Sequence, residues 1–310
     1  MKQSIDLKSP IEKIKSWFTS SEETQPNKPN YRLRFYIRKA FTYILLTIAA
    51  LLVLLPFYWM ILTALKSDYA VELRPPQLFT LKLHFENFVR AYNATRFDLY
   101  FRNTLIVAFF STTGTVITTV LAAFAFARLE FKGRDFIFLI LLGTMMVPGE
   151  MLVITNFVTI KTLQWDDTFL ALIVPFMTSV FYTFFLRQTF KQIPNELYLA
   201  AKVDGTSDFK YLLKVMIPIA KPTLITIIIL SAIGSWNAYV WPNLVTSRSN
   251  EFRKLISNGL RDSAFVDDLG RIRYNLQMAG STIVTFPILI VFLTLKKYII
   301  RGVSRSGIKG

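Results

Sequence analysis

The sequence predicts an all-α membrane protein with six transmembrane helices, and three observations lead there. The first is composition. Of the 310 residues, 53% are hydrophobic and the mean hydropathy is +0.40, too apolar for an ordinary soluble domain. The second is run length. A bilayer core calls for about 20 apolar residues per helix, and six runs reach or approach that: 40–65, 103–127, 136–160, 168–186, 223–247 and 274–295. Glu150 is the single charge within them. In lipid each run must be helical to satisfy its own backbone. The third is charge placement. With six helices, one side carries 23 of the 36 Lys and Arg and the other 13, which leaves them at +14 and +3 after their acidic residues. The positive-inside rule puts both termini in the cytoplasm. The net charge of +16 is then topogenic and lipid-facing, not a nucleic-acid footprint.

Residues 1–39 form a basic cytoplasmic segment. The first apolar run begins only at residue 40, so this is not a signal peptide. Ile11, Ile14, Trp17 and Phe18 recur at helical spacing, which fits either a short surface helix or a plain topology tail. Beyond the first span, 66–102 carries a Pro-Pro break and a mixed amphipathic pattern that predicts short helices capping the outer mouth. It holds His84, the only histidine; with no cysteine in the chain, disulfides and thiolate sites are excluded and no metal site is expected.

The second span is rich in small and hydroxylated residues. Ser111, Thr112, Gly114, Thr115, Thr118 and Thr119 suit close helix packing, or the lining of a polar path. The third contains Pro148-Gly149-Glu150, a helix break followed by a carboxylate. An intramembrane Glu150 could cap freed backbone donors, face a water-filled cavity or couple protons, although no second buried charge supports the last. The fifth span ends in "GSWNAYVWPNLV". Its Trp236, Asn237, Tyr239 and Trp241 fit an interfacial aromatic belt. They also fit a surface on which sugar rings stack, with Asn237 supplying a hydrogen bond. Glu150, Trp236, Asn237 and Tyr239 are therefore the candidate substrate-path residues.

The loop 188–222 is too polar for lipid and patterned for helix. Pro194 suits a first helical turn and Glu196 its N-terminus. Leu197, Ala200, Ala201 and Val203 supply apolar contact positions, and Asp204-Gly205 ends the helix because Gly takes a left-handed cap cheaply. Thr206, Ser207 or Asp208 can cap a second helix, "DFKYLLKVM", closed by Ile217-Pro218 and Lys221-Pro222. The unit is a helix-turn-helix shaped to dock into another protein.

These residues carry a resemblance. The loop resembles the signature of integral membrane subunits of bacterial ABC importers: Glu-Ala-Ala, three residues, Gly, nine residues, Ile-x-Leu-Pro. Ala200, Ala201, Gly205 and Pro218 fall in register; Val215 and Ile217 are conservative replacements, and Leu199 stands where the signature has Glu. "MMVPGEMLVITNF", "WNAYVWP" and the closing "RGVSRSGIKG" are similar to the maltose-type carbohydrate-uptake permeases, in particular the smaller six-helix partner of the pair, over residues 35–310.

The resemblance implies a type I ABC importer transmembrane fold in the bacterial cytoplasmic (inner) membrane. It implies a second homologous permease, two cytoplasmic ATPases and an extracytoplasmic solute-binding protein as partners. Glu196, Ala200, Ala201, Asp204, Gly205 and Pro218 would couple to an ATPase. The tail 301–310, through Gly302, Ser306, Gly307 and Lys309, would reach the ATPase interface. ATP and Mg would be bound by the partner, with no cofactor on this chain. The residues agree: there is no Gly-x-x-x-x-Gly-Lys-Ser/Thr loop and no catalytic set, so the chain reads as a transport subunit and not an enzyme. An ABC permease for a non-sugar solute such as a polyamine is the alternative. A stand-alone secondary transporter fits less well, lacking internal repeats and paired buried charges.

Overall fold

The computed structural model describes residues 29–247, 250–260, 265–267 and 270–304. The surface helix or tail expected around Ile11 to Phe18 lies outside them, as do Ser306, Gly307 and Lys309 of the C-terminal tail. The chain divides into two units, Met1–Tyr58 and Trp59–Gly310. Among the described residues the secondary structure is helical, save one isolated antiparallel bridge between Val266 and Ile272.

In the first unit the described residues belong to α1 (Pro29–Ala64), which starts eleven residues before the apolar run at Ala40. Lys39 sits over the Phe35 ring at 4.6 Å, and the Thr42 hydroxyl donates back to the Arg38 carbonyl at 2.9 Å. A basic collar therefore leads into the apolar stretch, in keeping with the charge pattern.

In the second unit, two short helices follow the first span: α2 (Asp68–Glu72) and α3 (Glu86–Ala94). The short helices expected in this segment are thus present. Asn87 holds α3 against the end of the first span, its side-chain amide donating to the carbonyls of Ala64 and Lys66 at 2.9 and 2.8 Å. His84 is a surface residue paired to Glu86 at 2.6 Å.

The organising helix is α4 (Phe97–Arg128), which begins six residues before the apolar run. Its hydroxyl stripe is used for packing. Ser111, Thr112, Thr115 and Thr119 are buried, and a Cβ on Gly114 would lie 2.4 Å from Met177 Cε.

The third apolar run is not one helix. It forms α5 (Arg134–Thr144), a 3-10 turn Gly149–Leu152 and α6 (Val153–Thr162), bent by 85°. The cause is Pro148, whose ring would strike the carbonyl four residues back, at Thr144, where α5 stops. The fourth run is interrupted too, as α7 (Phe169–Ile173), a 3-10 turn Val174–Phe176 around Pro175, and α8 (Val180–Lys191).

Non-helical backbone inside a span must find partners. Here α4 supplies them: the Thr115 and Thr118 hydroxyls donate to the Phe176 and Met177 carbonyls at 2.6 and 2.7 Å.

Next come α9 (Asn195–Val203), then α10 (Asp208–Tyr211), which runs through a π-turn, Leu212–Met216, into Ile217–Ile219. The fifth run does not reach residue 247 as one helix. It stops as α11 (Lys221–Asn237), and α12 (Val240–Val245) follows a break at Ala238. Pro242 forbids the helical carbonyl at Ala238 by the same four-residue rule. After α13 (Ile256–Gly259), α14 (Tyr274–Ser304) extends nine residues beyond the predicted end at Leu295 and includes Gly302. Four helices are long and apolar enough to cross a membrane, or up to six if each bent pair is one span.

Candidate functional site

Two places in the second unit have a built geometry: the α9–α10 loop and a cavity between spans. The loop rests on a continuous apolar cluster. Val120, Ala123 and Phe124 of α4 meet Leu186 and Phe190 of α8, and the cluster continues through Tyr211, Leu212 and Met216 to Leu224 and Ile227 of α11. The arm after the turn is therefore part of the protein core, while α9 sits on top of it.

Three contacts fix α9. Tyr198 packs on Tyr211 with ring centroids 5.1 Å apart and donates its hydroxyl to Asp208 at 2.7 Å. Lys202 pairs with the same carboxylate at 2.7 Å. Hydrogen bonds from Lys202 and Tyr198 hold the Asp208 carboxyl below the ordinary carboxylate range, and the Asp208 bond raises Lys202. Arg128, the last residue of α4, donates to the carbonyls of Phe190 (3.0 Å) and Ile193 and to the side chain of Asn195 (3.3 Å). One guanidinium thus ties the second span to the end of α8 and the start of α9.

A second arginine braces the same corner from below. Arg187 is 5% exposed. It donates to the Phe126 carbonyl at 3.0 Å, pairs with Asp135 at 3.2 Å and stacks on Phe138 at 3.9 Å. Such a buried cation is tolerable because its fork is satisfied on several sides.

The turn follows the sequence. Gly205 takes φ +69°, a conformation that costs other residues, and its N–H donates to the Lys202 carbonyl at 3.0 Å. Ser207 is the residue that caps α10, accepting from the Lys210 N–H at 3.4 Å. Pro218 does not close the loop; the helix passes through it to Ile219 because its own ring lies at the first turn of that last piece.

Of the predicted coupling residues, Glu196, Ala200, Asp204 and Gly205 are exposed, together with Leu199, Val203 and Phe209, and Ala201 packs inward against the core cluster. Glu196, Leu199, Ala200 and Val203 share one helical face. That face is apolar apart from its first turn, although the loop is otherwise polar. The residues missed by sequence reasoning are Arg128, Tyr198 and Lys202; Asp208 was read only as a possible helix cap and instead holds Tyr198 and Lys202. A Tyr198–Lys202 spacing of four with an acid six further on was the available signal.

The substrate-path candidates do not come together. Glu150 is exposed, in the 3-10 turn after the break, and not buried within the chain. Trp236 is 9% exposed in an apolar cluster with Phe97, Leu99, Tyr100 and Ile256, edge-on to Phe101 at 5.4 Å. It is neither a belt residue nor a stacking surface; its burial follows from its place on the α4 side of α11. Asn237 is exposed and Tyr239 half-buried. The cavity instead is lined by Thr115, Thr178, Tyr182, Ser235 and Trp241, among others, and measures about 250 Å³.

Four to six helices long and apolar enough to cross a bilayer, with the irregular backbone between them hydrogen-bonded from α4, define a multi-pass membrane protein. The chain belongs to the family of binding-protein-dependent transport system inner membrane components, which residues 114–305 match.

Three relatives place it further within that family. The chain is 34% identical over 275 residues to the trehalose/maltose transport system permease protein MalG of Thermococcus litoralis, covering 86% of this chain and 97% of that one. It is 32% identical over 231 residues to the arabinooligosaccharides transport system permease protein AraQ of Bacillus subtilis, covering 74% and 80%. Among solved structures, a bacterial ABC transporter that imports the acidic polysaccharide alginate superposes with TM-score 0.75 at 26% identity, covering 85% of this chain and 96% of that one. It is a permease subunit of the ABC transporter type.

Proposed function

We propose that this chain forms half of the translocation pore of an ATP-driven importer for a sugar or oligosaccharide. The observation that carries this is α9: a helix with one apolar exposed face, fixed from behind by Arg128, Tyr198 and Lys202. An exposed apolar face on a rigid base suits a partner that must push on it. The sequence similarity to MalG and AraQ supports a sugar as cargo.

In this reading the loop 194–222 sits in a cleft of a cytoplasmic ATPase, with Glu196, Leu199, Ala200, Val203 and Gly205 at the contact. The ATPase closes on ATP and Mg. Because the second arm is continuous with the α4–α8–α11 core, displacement of α9 is passed to the spans that line the pore. A second permease completes the pore, a second ATPase the motor, and an external solute-binding protein delivers the cargo. The bent pair Arg134–Thr144 and Gly149–Thr162 counts as one span and Lys221–Asn237 as another, giving six with the four long helices. Both termini are cytoplasmic, and the tail 301–310 lies at the ATPase interface. Proton coupling at Glu150 plays no part.

The test is uptake by the reconstituted importer in liposomes. Uptake of a radiolabelled neutral sugar that requires internal ATP, and that Gly205→Pro abolishes while the permease still inserts, is the expected result. Normal uptake by that variant contradicts the lever. ATP-dependent uptake of a polyamine and of no sugar would favour the other cargo class.

A further inference from the structure

The leading turns of α1 carry a charge arrangement with no counter-charge among the described residues. The helix begins eleven residues before the apolar run at Ala40, and Arg34, Arg38 and Lys39 in that stretch are exposed. At about 100° per residue, Arg34, Phe35, Arg38, Lys39 and Thr42 fall within one sector of about 140°. Tyr36, Ile37 and Ala40 fall outside it. The Phe35 ring holds Lys39 in the sector, 4.6 Å from its ammonium nitrogen, and meets Tyr36 edge-on at 5.8 Å.

No carboxylate reaches these cations among the described residues, and from Pro29 to Ser67 the sequence holds no Asp or Glu. Like charges four residues apart on a helix repel. Cations toward its N-terminus also oppose the macrodipole, and the first turn of α1 has no acid to offset them. The arrangement is unfavourable by itself and becomes favourable once an anion lies against it.

Depth identifies the anion. With Ala40 as the edge of the hydrocarbon, a rise of about 1.5 Å per residue puts the backbones of Arg38 and Arg34 about 3 and 9 Å outside it. The headgroup layer of one leaflet is roughly 5–8 Å thick. Both guanidiniums, on stems that snorkel, therefore lie at the level of lipid phosphates. An acidic protein surface would meet the helix further out, toward Pro29, and not beside Lys39.

We infer that Arg34, Arg38 and Lys39 form a binding site for the phosphate of an anionic phospholipid in the cytoplasmic leaflet. The leaflet rests on the cytoplasmic N-terminus proposed above. Arg34 and Arg38 present planar forks that hold phosphate oxygens bidentately, and Lys39 adds a point charge. Leu45 and Leu46 continue the same sector into the span and are exposed, so the acyl chains have an apolar surface to follow. A zwitterionic lipid brings its own cation with its phosphate and gains less.

The test uses the full importer in phosphatidylcholine vesicles that contain a phosphatidylglycerol with a photoreactive headgroup. Adducts are mapped by peptide mass spectrometry. Adducts within 34–46 of this chain, formed against the phosphatidylcholine background and displaced by unlabelled phosphatidylglycerol, are the expected result. Arg34→Gln with Arg38→Gln should lower that labelling about 30-fold, the loss of two cations at the membrane surface. Arg34→Lys with Arg38→Lys should fall between, since the charge stays and the fork goes.

Labelling spread evenly over the basic loops, displacement by inorganic phosphate, or labelling that appears only when the ATPases are removed each overturns the lipid site. Should the glutamine pair not insert, the lysine pair decides: labelling lowered severalfold supports the site, and labelling equal to the parent rejects it. The measurement needs neither cargo nor ATP. Its failure therefore leaves the proposed function standing, and an importer that carries no sugar leaves the lipid site standing.

Discussion

Replacing Arg128 is the sharpest test of how α9 is held. Arg128→Met keeps the aliphatic stem and removes the donors. Its guanidinium reaches the Phe190 and Ile193 carbonyls and the Asn195 side chain, all at the junction of α8 and α9. A hydrogen bond from a charged donor contributes about 1.5–3 kcal/mol. Bonds sharing one donor group are not additive, so about 3 kcal/mol is the expected loss for the set. That is about two orders of magnitude in the equilibrium for local opening.

The loss falls on one joint. The cluster beneath, from Val120 to Ile227, keeps its packing. Hydrogen exchange on the permease pair without ATPases reads this directly, because local opening is reported by amide protection. The α9 amides should exchange about 100-fold faster, those of α4 and α8 at their former rates. Arg128→Lys should fall between, since a point charge cannot serve three acceptors in a fork. In the full importer, uptake should drop while ATPase activity in the absence of cargo persists. Unchanged protection of α9 in Arg128→Met would refute the latch.

Other perturbations give distinct outcomes. Gly205→Ala forces a side chain into φ +69° with no steric contact nearby. The cost is therefore the left-handed penalty alone, about 1–2 kcal/mol, and uptake should weaken without the complete loss expected of Gly205→Pro. Thr118→Val removes the donor to the Met177 carbonyl inside the membrane; thermal unfolding in detergent should show a destabilisation of about 1–3 kcal/mol, with Thr118→Ser near the parent. The Lys202–Asp208–Tyr198 contact is pH-dependent with a defined sign. The Asp208 carboxyl is lowered by its partners, so its contribution is complete above the ordinary carboxylate value of about 3.9 and lost as pH falls through its own lower value. Protection of α9 should be flat from neutral pH to about 5 and fall below about 4, and Asp208→Asn should remove that acid step.

Much of the loop was legible because its signals are local. Gly205 after Asp204, Ser207 before α10 and Pro194 before α9 each act on backbone within a turn of themselves. The apolar positions read from the pattern, Leu197, Ala200, Ala201 and Val203, were only partly those of the exposed face: Ala201 packs inward, and Leu199 joins Ala200 and Val203 outside. The braces were not legible: Arg128 and Ile193 are 65 residues apart, and Arg187 and Asp135 are 52 apart. Hydropathy located the apolar runs, and Pro148-Gly149 marked the break in the third, but the fourth and fifth were read as unbroken, since apolar composition does not register a missing N–H. Pro148 and Pro242 act through the carbonyls four residues earlier. Trp236 and Trp241 lie five residues apart in one aromatic run, and only packing separates them, sending one into the core against Phe97 and the other to the cavity wall.

The measurement that bears most directly on the central claim is to isolate the chain gently from its native membrane, identify its companions by mass spectrometry and assay the complex in liposomes. A second permease, an ATPase and a solute-binding protein, with sugar uptake that requires internal ATP and fails in Gly205→Pro, is the predicted result. Recovery of the chain alone, active in liposomes without ATP, would contradict it.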